Sequence, residues 1–237
     1  MRLDRDGPAA DAGRMLRRHL LLGPLVLPAL LTACATPAPP TGDLWFGFFE
    51  TGRPTPADKD AVAAMQRGHI DNFKRLFAEG RLLAAGPLAD PARVKRGIVV
   101  LRGASLDALA TYFTPDDYVR EGYMTLNARR AVAHAPLHTE GIDANRIEEA
   151  RIVLIGRPPV SDPAAAQRQA LLRRLVDAGT LGAWYTLADG PVAELLLARG
   201  TDTAGLQAAL APYAAAGPAV TVDVWRQWIS PGVIGPR

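Results

Sequence analysis

The stretch Arg75-Leu76-Phe77-Ala78-Glu79-Gly80-Arg81-Leu82 returns later in the chain as Arg174-Leu175-Val176-Asp177-Ala178-Gly179-Thr180-Leu181. The register holds on to Leu88-Ala89-Asp90 against Leu187-Ala188-Asp189. A period of about a hundred residues is too long for a solenoid unit and suits a small domain, so the chain reads as two copies of one fold. In each copy an amphipathic run meets a glycine, a residue tolerant of the left-handed conformation that ends helices, and then an apolar strand-like segment.

Working outward from this pair, residues 44–50 read as a strand and 56–78 as a helix, with Val62, Met65, Phe73 and Leu76 on one stripe. Residues 82–85 and 97–101 are short apolar strands, 105–113 a second helix, and 123–130 a last strand. The second copy repeats this over 150–155, 163–178, 182–187, 193–198, 203–215 and 220–228. The order β-α-β-β-α-β is ferredoxin-like, in which the helices cover only one face of an antiparallel sheet. The other face needs cover, and two such halves packed sheet to sheet supply it as an α+β barrel within one chain. The expected organisation is a signal over 1–33, a tether over 34–42, one half over 43–134, a linker over 135–146 and a degenerate half over 147–237.

The N-terminal segment has the order of an export signal. Arg14, Arg17 and Arg18 precede an apolar run over 20–31, interrupted by Pro24 and Pro28 and too short for a membrane-spanning helix. Leu31-Thr32-Ala33-Cys34 resembles the lipobox of bacterial lipoproteins, which implies acylation of Cys34 and a membrane partner reached through that lipid alone. A non-aspartate at position 35 is associated with the outer membrane, which sets the expected location at the cell envelope, lipid-anchored.

Met1 to Ala33 holds five of the 27 basic and three of the 24 acidic residues, leaving a nearly neutral 22 against 21. No basic stripe remains to neutralise phosphates, so nucleic acid is not an expected partner. One cysteine and three histidines beyond the signal cannot build a Cys-rich metal site. No glycine-rich phosphate loop, nucleophile elbow or His-Glu-x-x-His is present, and nothing implies a cofactor.

His69, Gly80, Gly86-Pro87, the strand at 97–101 and Asp116-Asp117-Tyr118-Val119-Arg120-Glu121-Gly122-Tyr123 together resemble the YCII-related family of dimeric α+β barrels, over residues 44–130. The resemblance implies a small pocket worked by a histidine on the first helix and an aspartate before the last strand, and some relatives act on chlorinated aromatic breakdown products. Asp116 falls where that aspartate belongs. Asp117 replaces the usual proline, so the loop is less fixed and either carboxylate could point inward.

Helical spacing supports part of this independently. His69 lies four residues from both Met65 and Phe73, on the apolar stripe of its helix. A carboxylate beside it would orient the ring and favour its charged form while burial opposed that charge, poising the pair for acid/base work. A lone histidine on such a stripe is otherwise a hydrogen-bonded core residue, and Asp116 after Thr-Pro is also a helix cap. Gly86-Pro87 either admits backbone to a ligand or ends its strand.

In the second copy Arg168 takes the place of His69, Tyr185-Thr186 that of Gly86-Pro87, and nothing near Pro212-Tyr213 restores the acidic pair. Trp184, Trp225 and Trp228 read as core or cavity lining, and His134 and His138 as surface residues of the linker. Two functions follow from different classes: a lipid-anchored enzyme in which His69, oriented by Asp116 or Asp117, moves a proton on a small molecule, or a non-catalytic module of the same fold that binds a ligand or partner.

Overall fold

The computed structural model describes residues 42–159 and 161–234; the signal, the lipobox and Cys34 lie outside the described residues. The first half runs β1 (Asp43–Thr51), α1 (Lys59–Ala78), β2 (Leu82–Pro87), β3 (Lys95–Gly103), α2 (Leu106–Tyr112), α3 (Asp117–Arg120) and β4 (Met124–Ala135). The second runs β5 (Glu148–Gly156), α4 (Ala165–Asp177), β6 (Ala183–Leu187), β7 (Val192–Arg199), α5 (Thr203–Ala215) and β8 (Val222–Ile229).

Local chemistry sets the helix ends. The Asp58 side chain accepts the backbone N–H groups of Asp60 and Ala61, so α1 begins at Lys59 instead of the expected 56. At the other end Gly80 takes φ 69° and Gly179, its repeat partner, φ 75°. The Arg81 N–H closes on the Leu76 carbonyl at 2.9 Å, a left-handed cap that turns the chain into β2.

All eight strands form one antiparallel sheet in the order β2-β3-β1-β4-β6-β7-β5-β8. The hinge of the arrangement is β4, whose first part pairs with β1 from Met124 to Arg130 and whose end pairs with β6 from Ala131 to Ala135. The two halves therefore do more than lie face to face: they share a continuous ladder. Far from that seam, Leu88 bridges to Gln227 and the Ala89 N–H reaches the Arg226 carbonyl at 3.0 Å. The same contact recurs at the β4–β6 seam, where the Ala188 N–H reaches the Arg130 carbonyl at 2.9 Å. The sheet is a nearly closed α+β barrel with a pseudo-twofold relation between its two joins.

Strand alternation explains why the strand sequences are apolar on both faces. Phe46, Phe48, Ile98 and Val100 point into the barrel, where they meet Ile152, Leu154, Leu195 and Leu197 of the second half. Trp45, Phe49, Val99 and Leu101 point outward beneath α1 and α2, and Val153, Ile155, Leu196 and Ala198 lie beneath α4 and α5. With both faces covered, near-continuous apolar runs are required, as in sheets buried on both sides. Each fully buried leucine or isoleucine contributes about 1.5–3 kcal/mol by leaving water.

Two further expectations change. The last strand of the first half continues past Arg130 to Ala135, so His134 belongs to β4 and not to a linker. Its Nε2 lies 2.8 Å from the Thr186 hydroxyl, and its ring stacks on Trp184 at 4.1 Å. The second change is α3, a single turn at 117–120 that follows directly from the Asp116 cap.

Candidate functional site

Asp116 is fully buried and works in two directions at once. Its Oδ1 accepts the Tyr118 N–H at 3.0 Å, capping α3, and its Oδ2 lies 2.6 Å from Nδ1 of His69. The capping and pairing roles are thus carried by separate oxygens of one carboxylate. Asp117, one residue on, is half-exposed and pairs with Arg120 on the surface of α3, so it does not join His69. The cap explains the difference: once Asp116 begins a helical turn inward, the next side chain is rotated out.

The His69 ring is held on the remaining sides by aromatic groups. Phe73 lies one turn along α1 with its centroid 4.3 Å away, Phe49 meets the ring at 5.5 Å, and the Tyr118 ring packs edge-on at 5.6 Å. Nε2 has no hydrogen-bond partner among the described residues, yet it is not enclosed; among them, the enclosed polar side-chain atoms without a partner belong to the Gln227 amide. With Nδ1 committed to Asp116, Nε2 is the nitrogen His69 presents to the cavity it lines.

That cavity measures about 410 Å³, within the range of small-molecule sites. One wall is a single face of α1, formed by Gln66, His69, Ile70, Phe73, Lys74 and Phe77, whose three- and four-residue spacing puts them side by side. The floor is β2 with Gly97 and Ile98 of β3. The remaining wall is supplied by Ile142, Ala144 and Ile147, and by Ser230 and Val233 beyond β8. These residues were missed by sequence reasoning; Ile142 and Ile147 in the connection between β4 and β5 were the available signal.

Gly86 and Pro87 both line the cavity and are the last two residues of β2, so the pair ends its strand at Pro87, two residues beyond the expected 85; Gly86 itself is not a turn residue. It lies inside β2, and a Cβ there would overlap the carbonyl oxygen of Trp228. Its glycine identity is required by the close approach of β8 at the barrel seam, beside the cavity.

The second half fills the equivalent place with structure. Arg168 is buried, donating from Nη1 to Asp162 at 2.8 Å, from Nε to the Tyr213 carbonyl at 3.2 Å and from Nη2 to that of Pro218 at 2.6 Å. An acidic partner is therefore present, contributed by Asp162 ahead of α4 instead of the region near Pro212-Tyr213. Tyr185, in the register place of Gly86, accepts the Leu137 N–H at 3.0 Å, and burial pushes its hydroxyl up to about 12. Next to it, burial raises the Glu194 carboxyl above its usual range, opposed by hydrogen bonds from Trp184 and Thr186. Burial, with the charge of Arg173, lowers His134. Trp184 is thus a core residue with its indole N–H satisfied at 2.7 Å by Glu194.

Fold and site together define an α+β barrel formed within one chain, with a buried His-Asp contact opening on one cavity. No protein-family model and no curated protein matches the chain. Among solved structures it is similar to a "putative monooxygenase" from Lactobacillus acidophilus NCFM, at 12% identity and a TM-score of 0.47, over 78% of this chain and 93% of that one. It is also similar to a "putative monooxygenase" from Fusobacterium nucleatum subsp. nucleatum ATCC 25586, at 6% identity and a TM-score of 0.49, over 81% of this chain and 96% of that one. Identities this low transfer no chemistry between the proteins.

Proposed function

We propose that this chain is an envelope lipoprotein related to the YCII-like barrels, anchored through Cys34, whose His69 transfers a proton to and from a small molecule in the cavity. The observation that carries the reading is the 2.6 Å contact between His69 Nδ1 and Asp116 Oδ2, with Nε2 left for the cavity. A carboxylate on Nδ1 fixes the ring's orientation and tautomer, so the lone pair stands on Nε2. Nε2 then takes a proton from a carbon or oxygen acid of the ligand, the resulting imidazolium is stabilised by Asp116, and the proton is returned to another atom of the ligand or to its leaving group. His69 is the catalytic residue in this account and Asp116 a positioning residue acting through it.

The anchor is supported by the order of charge, apolar run and lipobox in the sequence. Among the described residues no helix is long and apolar enough to cross a membrane.

The test is hydrogen–deuterium exchange, followed by proton NMR, at the acidic carbons of a panel of small aryl ketones and unsaturated oxo acids. Exchange above the buffer rate, lost in His69→Gln and reduced with an altered pH profile in Asp116→Asn, is the expected result. A panel in which wild type and His69→Gln are indistinguishable contradicts an enzymatic role and leaves a binding module.

A further inference from the structure

We propose that the cavity takes a small organic anion with a flat apolar body, its charged end held by Lys74 and Arg96. The inference rests on the reading of the same cavity as the ligand site and adds the ligand's chemical class.

Three observations on the lining point to it. Among the described residues the titratable side chains that line the cavity are His69, Lys74 and Arg96, with no carboxylate beside them; Asp116 stands behind the histidine. The rest of the surface is mainly apolar, and Phe49, Phe73 and Phe77 offer ring faces and edges suited to a planar body. Finally, Lys74 and Arg96 take part in no ion pair and donate no side-chain hydrogen bond among the described residues. Arg75, the next residue of α1, shows the contrast: its guanidinium is tied to Glu79 at 2.8 Å and to Asn72 at 2.7 Å.

The two cations come from different elements, Lys74 from the exposed flank of α1 and Arg96 from β3 beside Pro87, and both border the same space. An arginine fork and a mobile ammonium together suit a carboxylate or sulfonate, the first by two parallel N–H bonds and the second as a point charge. A cationic ligand would meet like charge with no carboxylate to offset it. A neutral ligand would leave both cations as bystanders.

The probe pair is trans-cinnamate and its neutral isostere cinnamamide, titrated into the purified protein at low salt and followed by the backbone amide resonances of Gly86 and Gly97. Expected is a preference of about tenfold for the acid, weakening as salt rises, since charges this exposed are screened. In the Lys74→Gln/Arg96→Gln variant the acid should fall to the affinity of the amide, and the amide should bind as before. Equal affinities in the wild type, a preference that survives the double substitution, or the absence of shifts at both glycines overturns the proposal. His69→Gln separates the two readings. It should abolish proton exchange while keeping the acid preference, so loss of the exchange reading alone leaves the anion site standing.

Discussion

Asp116 Oδ2 meets His69 Nδ1 across 47 residues of chain, and its other oxygen caps the turn that places it there. Removing the carboxylate should therefore cost twice. Asp116→Ala loses a helix cap, about 1 kcal/mol, and leaves a buried imidazole N–H unpaired, about 1–3 kcal/mol more. Asp117→Ala, which removes only a surface contact with Arg120, should stay within about 0.5 kcal/mol of wild type. Urea unfolding of the two variants makes the comparison, and equal effects would show that the inward carboxylate has been misassigned.

Two glycines should respond in opposite directions to the same added methyl. Gly86→Ala drives a Cβ into the Trp228 carbonyl and should destabilise by about 1–3 kcal/mol, opening the β2–β8 seam. Gly68→Ala, inside α1 with open space around it, should stabilise by about 0.5–1 kcal/mol. Thermal unfolding reads both.

Stability should vary with pH through two carboxyls shifted in opposite senses. Burial raises Glu194, so in the folded state it holds its proton to higher pH than in the unfolded chain. Its contribution is complete below the unfolded value of about 4.3 and is lost as pH rises through the folded value. Glu194→Gln should flatten that decline while keeping an acceptor for Trp184 and Thr186. Asp90 behaves conversely: burial would raise it, but backbone N–H donors from Lys95, Ala92 and Val94 and the charge of Lys95 prevail and lower it. Its stabilisation is present above the unfolded value of about 3.9 and is lost as pH falls through the lower folded value. Asp90→Asn should weaken the fold at neutral pH and make its acid limb shallower. Denaturation midpoints across pH check both signs.

The element order was legible because both copies carry the same punctuation, a helix stopped at Gly80 or Gly179 before an apolar strand. Segments with no period of their own were not. The turn at 117–120 is shorter than any helical repeat, and the end of β4 was hidden because Pro136 follows closely, although Ala131 to Ala135 find partners on β6. At the site, helical spacing put His69 on the buried stripe, whereas nothing local separates Asp116 from Asp117; the choice is made by the direction of the cap. Ile142, Ile147 and Val233 reach the cavity only through tertiary packing, which one sequence does not display. The lipobox cysteine falls outside the described residues.

The measurement that bears most directly on the His69–Asp116 account is the tautomer of His69, read from long-range proton–nitrogen correlations of its imidazole ring. The account predicts that Nδ1 carries the proton in the wild type and in Asp117→Asn, and that Asp116→Asn moves it to Nε2, because an asparagine amide can donate where the carboxylate accepted. The same ring spectrum in all three proteins, or a wild-type proton already on Nε2 alone, would contradict it.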